Sequence, residues 1–328
     1  MHKILIVSKQ SLGDIILQMG VIQALKEKHP TSRISVACDE RYISALKKHP
    51  DIADVLPLKI HDGKAAGFFK ILGQIRRHSF DVILTFGSDK QALWWGFLAR
   101  IKVRVGTRNQ PHGFLLTRSL REHHRELNSF EYYHKLAQLV SPGLAVEYPV
   151  ISIDKQETQR LRADLYKQRL GRKFIVWHIG SSKEVKRYPV FQIIETLRLF
   201  RKKRILLPVL FAGGYGDDKF IAELEEAVNT GDIRTAKVYF ADGIEFGATA
   251  ALFSLAHLVI ANDAAPRHVA AAIGKKSLSL MPRHRKHSWQ VYGEKQNAYF
   301  LFSEVPSESL AVDTIEPVEL AGMIRKLI

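Results

Sequence analysis

The sequence predicts an α/β protein made of two halves, each with a mostly parallel sheet, and three observations support this. Short apolar runs typical of buried strands alternate with longer amphipathic stretches, which indicates strand–helix–strand units and hence parallel strands. The alternation stops at residues 141–153, where SPGLAVEYPVISI contains two prolines and a glycine and has no helical period. It then restarts, so we expect a linker there and a second α/β half beyond it.

The first half opens with the apolar run at 4–7, which predicts a buried strand followed by a helix that ends near Pro30. Further strands are predicted at 33–38, 54–58, 80–86 and 102–106, separated mostly by helices such as 64–78 and 89–100. The stripe that predicts the first helix is Ile15, Ile16, Met19, Ile22 and Leu25. Together these elements predict a first domain at 1–150.

The second half begins with a charged helix at about 154–169. Its strands are predicted at 173–180, 205–214, 236–241, 257–263 and 276–281, with helices between them, and a final amphipathic helix at about 315–327. We therefore expect a second domain at 151–314. The C-terminal helix, at 315–328, is a candidate to pack back on the first domain.

Composition and charge indicate a globular protein that attracts anions. The chain has 328 residues, enough for two domains that each bury a core, with 46% hydrophobic and 25% charged residues. Its formal net charge of +16 favours anionic partners, which include nucleic acid, anionic lipid and phosphorylated glycolipid. The basic residues are densest at 104–125 and 283–287, but RNA-binding and zinc-finger signatures are absent, so nucleic acid is not expected.

Cysteine usage and hydropathy bear on the compartment. Cys38 is the single cysteine, so an intramolecular disulfide is excluded, as is usual in a reducing compartment. The first residues lack the apolar core of a signal peptide, and no window approaches the roughly 18 apolar residues of a membrane span. We therefore expect a cytoplasmic protein.

Ligands of doubly wound sheets bind beyond the carboxyl ends of the strands, so the residues directly after each strand are the most informative. Ser11, Gly13 and Asp14 follow the first strand. Asp14 is either a first-turn acid that caps the helix or a general base that deprotonates a bound hydroxyl. The two interpretations are compatible, because a capping carboxylate is also a well-oriented one.

The loop HIGSSKEVKRYP at 178–189 follows the first strand of the second half. Gly180 permits close approach of a ligand, and Ser181 and Ser182 offer hydroxyl groups. The cations, which are Lys183, Lys186 and Arg187, suit a diphosphate. The alternative is an ordinary solvated basic loop.

The next strand ends in AGGYGDD at 212–218. Its glycines suit a backbone that approaches a nucleotide, and Asp217 or Asp218 would accept hydrogen bonds from ribose hydroxyls, by analogy with dinucleotide-binding folds. A plain turn with a helix cap is the alternative.

The last of these loops, ANDAAPRHVAAAIG at 261–274, places Asp263 at a strand end. Ala264, Ala265, Arg267 and His268 then open a helix whose unpaired amides and dipole favour an anion. His268 is either a structural histidine or part of that anion site.

Taken together, the four loops resemble glycosyltransferase family 9, the ADP-heptose:lipopolysaccharide heptosyltransferases. SLGD at 11–14 resembles the family's small residue followed by Gly-Asp, and KRYP at 186–189 resembles its K-x-W-P element. GGYGD at 213–217 resembles the family's glycine-rich strand end with an acid, and DAAPRH at 263–268 resembles D-[TS]-[GA]-x-x-H. The resemblance covers nearly the whole chain, in order.

The resemblance implies a GT-B fold, in which two Rossmann-like domains with parallel sheets face each other across a cleft. The first would bind the acceptor and the second the nucleotide sugar, with no metal or other cofactor. Asp14 would be the catalytic base and Lys186 would neutralise the leaving diphosphate. Asp217 would meet the ribose and Asp263 the sugar hydroxyls, while the amides of Ala264 and Ala265 would take phosphate.

Other residues of these loops are candidates for substrate contacts. The donor candidates are Ser181, Ser182, Gly213, Gly214, Asp217, Asp263, Ala264, Ala265 and His268. The acceptor candidates are Lys9, Ser11, Gly13, Arg104 and Arg108, with Arg118 as a further basic residue.

The reaction implied by the resemblance is an inverting, metal-independent transfer of a heptose or related sugar from an ADP-sugar, with ADP-heptose as the expected donor. The acceptor would be a lipopolysaccharide core or Kdo-bearing lipid, at the inner face of an anionic membrane. Two alternatives stay open: a sugar-nucleotide epimerase of the GT-B type, and a non-catalytic binder of anionic glycolipid or nucleic acid. A dehydrogenase is disfavoured, because no glycine-rich dinucleotide fingerprint follows the first strand.

Several residues depart from the family pattern. Ala264 replaces a hydroxyl residue, Tyr188 replaces a tryptophan, Asp217 is shorter than the common glutamate, and Gly20 stands where the first helix often has proline. The segment 281–293 is unusually basic and lacks the frequent F-G-P continuation. We interpret the chain as a divergent member of the family that is still an enzyme and whose donor or acceptor can differ from those of the family.

Overall fold

The computed structural model describes residues 2–47, 49–58, 65–87, 89–121, 127–214, 216–231, 233, 238–241, 246–286, 291–306 and 309–328. The chain forms two compact units, Met1–Val150 and Ile151–Ile328. Several sequence predictions fall partly outside the described residues. These are the helix start at 64, the strand start at 236–237, Tyr215, the basic residues Arg125 and His287, and 288–290 of the basic segment.

The first unit alternates strands and helices in the predicted manner. Its strands are β1 (Lys3–Ser8), β2 (Arg33–Asp39), β3 (Ile52–Leu58), β4 (Val82–Thr85), β5 (Val103–Thr107) and β6 (Arg118–Leu120). Its helices are α1 (Leu12–Lys28), α2 (Ile43–Leu46), α3 (Ala65–His78), α4 (Lys90–Leu98) and α5 (Ser129–Gln138).

The described strands of the first unit form one parallel sheet in the order β3-β2-β1-β4-β5-β6. At its centre, Ile6 of β1 lies beside Val36 of β2 and Leu84 of β4. With right-handed crossovers this order places helices on both faces of the sheet, and α1 indeed packs on α5 while α3 packs on α4. The chain order of the strands reverses between β1 and β4.

The second unit has the same alternation. Its strands are β7 (Ile175–His178), β8 (Val209–Ala212), β9 (Val238–Ala241), β10 (Leu258–Asn262), β11 (Ser277–Pro282) and β12 (Ala298–Ser303). Its helices are α6 (Lys155–Lys167), α7 (Val190–Lys202), α8 (Asp218–Thr230), α9 (Phe246–Leu255), α10 (Ala265–Ala272) and α11 (Pro317–Leu327).

The described strands of the second unit pair in the order β12-β11-β10-β7-β8-β9, again all parallel. Counted along the chain, this is the order of the first sheet, with the reversal between β7 and β10. Trp177 of β7 lies between Phe211 of β8 and Ile260 of β10, and all three are fully buried. The C-terminal helix α11 packs on α7, and Leu320 belongs to the same core.

The α/β class with two parallel sheets is confirmed, but some element bounds differ from the prediction. The apolar run at 205–214 gives a strand only from Val209 to Ala212, because Pro208 has no amide proton to donate to a ladder. The strand Arg118–Leu120, the strand Ala298–Ser303 and the helix Ser129–Gln138 were not predicted. In the part of the chain that the structure describes, no helix is long and apolar enough to cross a membrane.

Candidate active site

The two reversal points of strand order select the loops where ligands bind in sheets of this type. In the first unit, the loop after β1 ends at Ser11, and the first turn of α1 carries Gly13 and Asp14. In the second unit, the loop after β7 carries Lys186 and the loop after β10 carries Asp263. The predicted residues therefore follow the strands that flank each reversal.

Asp14 lies in the first turn of α1 and is 8% exposed. Ser11 is the N-cap, and the two side chains form a capping box: the Ser11 hydroxyl accepts from the Asp14 amide and donates to Asp14 Oδ2 at 2.6 Å, while the Ser11 amide donates to the same oxygen at 3.2 Å. The helix-cap interpretation of Asp14 is therefore correct, and it leaves the general-base interpretation intact. The box holds the carboxylate in one orientation.

Tyr133 of α5 completes the surroundings of Asp14, since its hydroxyl donates to Asp14 Oδ1 at 2.7 Å. Tyr133 is 4% exposed and packs edge-on against Phe86. Burial raises the pKa of Tyr133 well above its usual value, and the neighbouring Asp14 carboxylate raises it further. The phenol consequently stays protonated and remains a hydrogen-bond donor to Asp14.

In the second unit, Asp263 organises a cluster of cations, defined here as the Asp263 cluster: Asp263, Lys186, Arg267 and Arg285. Lys186 Nζ donates to Asp263 Oδ2 at 3.0 Å and to the Asp263 carbonyl oxygen at 3.1 Å. Arg267 Nε donates to Asp263 Oδ1 at 3.1 Å, and Arg285 Nε lies 3.8 Å from Oδ2. Three cations thus surround one carboxylate, so the cluster carries an excess of positive charge.

Electrostatics keep this carboxylate ionised. Burial alone would raise the pKa of Asp263, but Arg267, Lys186 and Arg285 outweigh burial and hold that pKa well below its usual range. Burial lowers the pKa of Lys186, and the attraction of Asp263 opposes that change. The Lys186 side chain is 14% exposed, so part of it is in contact with solvent.

Asp217, the candidate ribose-binding acid, precedes α8 and is 6% exposed. Arg187 donates to Asp217 Oδ1 at 2.7 Å, and the Gly214 amide donates to Oδ2 at 2.9 Å. Gly180 packs so closely on this carboxylate that a Cβ atom there would overlap Asp217. The arrangement ties the loops after β7 and β8 together, and the predicted ribose contact would use the remaining lone pairs of Asp217.

Two histidines of the site are buried and neutral. The Gly180 amide donates to His178 Nδ1 at 3.2 Å, and burial lowers the pKa of His178 to about 4 although Asp217 opposes the change. His268 of α10 is 2% exposed, and burial together with Arg267 lowers its pKa well below the usual value. His268 lies edge-on to Tyr292 beside the Asp263 cluster, and its contact with the donor stays a prediction.

Helix α10 begins beside Asp263, as predicted. Its N-cap Ala264 makes no side-chain cap, and Pro266 in the first turn has no amide proton. The Ala264 amide donates to the Asn262 carbonyl oxygen at 2.7 Å, so that amide is engaged in a turn. The anion site expected at this helix start therefore depends on the Ala265 amide and on the adjacent cations.

The remaining candidates are distributed over both units. Ser181 is buried and its hydroxyl accepts from the Lys183 amide at 3.4 Å, whereas Ser182 is exposed. Lys9 pairs with Asp89 at 3.1 Å, and Arg104 donates to the carbonyl oxygens of Leu115 and Ile101 at 2.6 Å each. These contacts hold Lys9 and Arg104 in the fold of the first unit. Gly213 packs tightly on Ile221, while Arg108 and Arg118 are exposed.

Tyr133 and Arg285 belong to the site and were not predicted from the sequence. Tyr133 lies in a helix that was not predicted, and only the tertiary packing of α5 on α1 brings its hydroxyl to Asp14. Arg285 was noted only as part of a basic segment. Its place three residues after the end of β11 is the signal that would have identified it, because β11 ends at the same sheet edge as β10.

Comparisons with known proteins agree with this arrangement. A family model described as "Glycosyltransferase family 9 (heptosyltransferase)" matches residues 68–317. Lipopolysaccharide heptosyltransferase 1 of Campylobacter coli is 25% identical over 288 residues, which cover 85% of this chain and 83% of that protein.

Two solved structures extend the likeness to the whole fold. The glycosyl transferase family 9 structure from Veillonella parvula superposes with a TM-score of 0.85 at 17% identity and covers 99% of this chain and 97% of that one. The structure of Escherichia coli ADP-heptose lps heptosyltransferase II gives a TM-score of 0.80 at 18% identity, with 99% and 98% covered. The predicted GT-B type of α/β fold is therefore confirmed.

Proposed function

The chain belongs to glycosyltransferase family 9 and is a glycosyltransferase, and on this premise we propose that it transfers a heptose from ADP-heptose to an anionic lipopolysaccharide core acceptor with inversion at the anomeric carbon. The structural neighbour from Escherichia coli is an ADP-heptose lps heptosyltransferase, which supports ADP-heptose as the donor. The relatives are lipopolysaccharide heptosyltransferases, which supports lipopolysaccharide as the acceptor. The observation that carries the proposal is the Asp263 cluster, which offers a surplus of cations at the reversal point of the second sheet.

The Asp263 cluster suits the diphosphate of a nucleotide sugar. An ammonium group has three donors, and Lys186 spends two of them on Asp263. The third is left for a phosphate oxygen, and Arg285 brings a second cation that is 24% exposed. Cations that are already in position before the reaction stabilise the negative charge that grows on the leaving diphosphate. This charge grows as the bond between the anomeric carbon and the diphosphate oxygen breaks. In the proposed reaction, Lys186 therefore supports departure of ADP.

Asp14 is the proposed base that removes the proton from the acceptor hydroxyl. A base has to be oriented and ionised, and Asp14 is held by Ser11 on one oxygen and by Tyr133 on the other. Oδ2 accepts two hydrogen bonds from Ser11, so Oδ1, which accepts one from Tyr133, is the oxygen with a lone pair left to receive a proton. The proposal assigns activation of the acceptor to the first unit and stabilisation of the leaving group to the second.

The charge of the chain supports an anionic acceptor. With 49 Lys and Arg against 33 Asp and Glu, the surface potential attracts phosphorylated or carboxylated glycolipid at an anionic membrane. The basic residues of the first unit, among them Arg108 and Arg118, are the proposed acceptor contacts.

The test is to incubate the purified protein with ADP-heptose and a lipopolysaccharide core acceptor and to follow both substrates by mass spectrometry. We expect the acceptor to gain one heptose mass and ADP to be released only when the acceptor is present. A parallel incubation with ADP-heptose alone tests the epimerase alternative, because an isomerised donor without acceptor would contradict the proposal.

The stereochemistry of the product tests the inverting mechanism separately. NMR of the purified product is expected to show an anomeric configuration opposite to that of the donor sugar. Retention of the donor configuration would refute the role of Asp14 as a base for direct displacement.

A further inference from the structure

The first unit exposes a row of aromatic rings along α4 and the loop after β5. Trp94 and Phe97 of α4 lie 6.0 Å apart between ring centroids, Trp94 lies 5.7 Å from His112, and His112 lies 6.1 Å from Phe114. Phe97 is 46% exposed and Phe114 is 79% exposed, and the two rings that link them, Trp94 and His112, are half-buried. Contiguous exposed apolar rings of this kind mark an interaction surface in a folded protein.

Contacts within the first unit fix the direction in which these rings point. The opposite side of α4 is buried, with Ala92, Leu93 and Trp95 in the interior, and Trp95 Nε1 donates to the Phe68 carbonyl oxygen at 3.2 Å. Arg104 fixes the loop after β5 through its bond to the Leu115 carbonyl oxygen, and its guanidinium lies 5.9 Å from the Phe97 ring. The outward direction of the rings is therefore set by the packing of the unit.

Positive charge accompanies the rings. From Lys90 to Arg121 the sequence contains no Asp or Glu and has seven Lys or Arg residues. Lys90 precedes Trp94 by one helical turn, so the two side chains share a face of α4. Arg100 follows α4 directly and is exposed, and exposed Arg108 lies in the loop that also carries His112 and Phe114.

We propose that this surface, defined as the α4 face (Lys90, Trp94, Phe97, Arg100, Arg108, His112 and Phe114), docks the protein on a bilayer that contains anionic lipids. Phe97 and Phe114 enter the interfacial layer, where exposed apolar rings lose contact with water, and the lysine and arginines meet the lipid headgroups. The proposed partner is therefore a negatively charged lipid surface. This partner fits the aromatic rings of the α4 face, because the segment that carries them contains no Asp or Glu.

The geometry of the rings favours lipid over single-stranded nucleic acid, which also binds basic aromatic surfaces. Bases stack on flat ring faces. The interplanar angles between consecutive rings of the α4 face are 84°, 59° and 65°, so neighbouring rings expose their edges to one another and form no common stacking platform. Insertion into a lipid interface makes no such demand on ring orientation.

The α4 face is also coupled to the loop that leads from β1 to Asp14 in the first turn of α1. Asp89 is the N-cap of α4, and Lys9 from the loop after β1 pairs with it at 3.1 Å and lies 4.8 Å from the ring of Trp95. Docking through α4 would therefore hold that loop at the lipid surface. This step deepens the proposed function and rests on it, because the proposed acceptor is a lipid.

The experiment is vesicle flotation of the full-length protein with phosphatidylcholine vesicles and with phosphatidylcholine–phosphatidylglycerol vesicles. We expect binding to the mixed vesicles only, weakened by salt. The double variant Phe97→Ser, Phe114→Ser is expected to bind at least about tenfold more weakly, and Lys90→Glu, Arg100→Glu similarly. The matched control is Phe191→Ser, which removes a phenylalanine of the second unit that is 67% exposed and is expected to bind like the wild type.

Three results would overturn the inference: equal binding of the wild type to neutral vesicles, unchanged binding of the two double variants, or displacement of the protein from vesicles by a single-stranded oligonucleotide. Flotation needs no turnover, so it is separate from the proposed function. Transfer to a delipidated, water-soluble core acceptor should be unchanged in Phe97→Ser, Phe114→Ser. If the wild type also fails to transfer heptose to this acceptor, the proposed function is contradicted, and the flotation result is unaffected.

Discussion

At the scale of single residues, the candidate site is built from carboxylates whose oxygens are fixed by neighbours. Asp263 is held by three cations, Asp217 by an arginine and a backbone amide, and Asp14 by a serine and a tyrosine. Side chains held in this way need little reorganisation when a substrate binds. Each of them therefore predicts a distinct effect of substitution.

Lys186 is expected to contribute directly to ADP binding. Replacing Lys186 by Met removes the donor that is left for a phosphate oxygen, and a charge-assisted hydrogen bond of this kind is worth about ten- to hundredfold in the dissociation constant for ADP. Isothermal titration calorimetry measures that constant. The control is Lys183→Met, an exposed lysine of the same loop, which should bind ADP almost as the wild type does. Equal weakening in both variants would contradict a specific role for Lys186.

Tyr133 is expected to act as a positioning residue for Asp14. In Tyr133→Phe the carboxylate loses the donor that orients it, so kcat should fall by about tenfold while the KM for each substrate stays close to that of the wild type. The control Tyr132→Phe removes the neighbouring buried hydroxyl, which bonds to Thr107. Only Tyr133→Phe should lower kcat, with ADP affinity unchanged. Equal kcat values in the two variants would refute the positioning role.

His178 predicts a pH dependence of stability. Its pKa of about 4 in the folded protein is below the usual 6.5, so between those values the unfolded chain binds more protons than the folded one. The free energy of unfolding should therefore fall as pH drops from 6.5 to 4, by up to about 3 kcal/mol from this residue. Urea unfolding of the wild type and of His178→Asn between pH 4 and 6.5 measures this fall in the free energy of unfolding. An equally steep decline in the variant would exclude His178 as the cause.

At the scale of elements, one close contact explains a departure from the family pattern. Gly20 in the middle of α1 packs on the backbone of Glu147 so tightly that a Cβ atom would overlap the carbonyl oxygen. The segment that leads from the first unit to the second, at 145–150, thus lies directly against α1. The glycine at this position allows the approach.

Two glycine substitutions test this packing. Gly20→Ala forces α1 away from Glu147 and should lower the free energy of unfolding by about 1–3 kcal/mol. Gly73→Ala in α3 meets no atom within 4 Å and should raise it by about 0.5–1 kcal/mol, since alanine favours the helix. Thermal and urea unfolding measure both. A stabilised Gly20→Ala protein would show that α1 and 145–150 are not in close contact in solution.

Elements with strong local patterns could be predicted from the sequence, and those fixed by tertiary contacts could not. The apolar run at 4–7 and the stripe of the following helix encode their own structure. The strand Arg118–Leu120 has three residues and pairs only at the edge of the sheet, so its sequence carries no alternation to recognise. The helix Ser129–Gln138 follows a polar segment, and its buried face mixes tyrosines with a histidine, which obscures the period.

The main residues of the candidate site could be predicted because they lie next to elements with strong local patterns. Asp14, Lys186, Asp217 and Asp263 all follow strands, and strand ends are visible in the sequence. Their partners Tyr133 and Arg285 come from distant segments, and only the packing of α5 and the end of β11 bring them to the carboxylates. The direction of each side chain was likewise beyond the sequence, as with Arg104, which bonds to backbone oxygens of its own unit.

At the scale of the whole molecule, the two units repeat one strand order and carry different chemistry at the same topological position. The first presents a capped carboxylate after its central strand, and the second presents a cluster of cations. The proposed attraction to anionic lipid rests on the net charge of +16 and on the α4 face. The central claim is that the first unit activates the acceptor while the second binds the donor.

The most direct test of that claim is to measure ADP affinity and turnover together in Asp14→Asn. This substitution keeps the size of the side chain and removes the base. We predict an unchanged dissociation constant for ADP and a turnover lower by about a hundred- to ten-thousandfold, the usual contribution of a positioned base. Turnover at the wild-type rate, or a loss of ADP binding equal to the loss of activity, would contradict the claim.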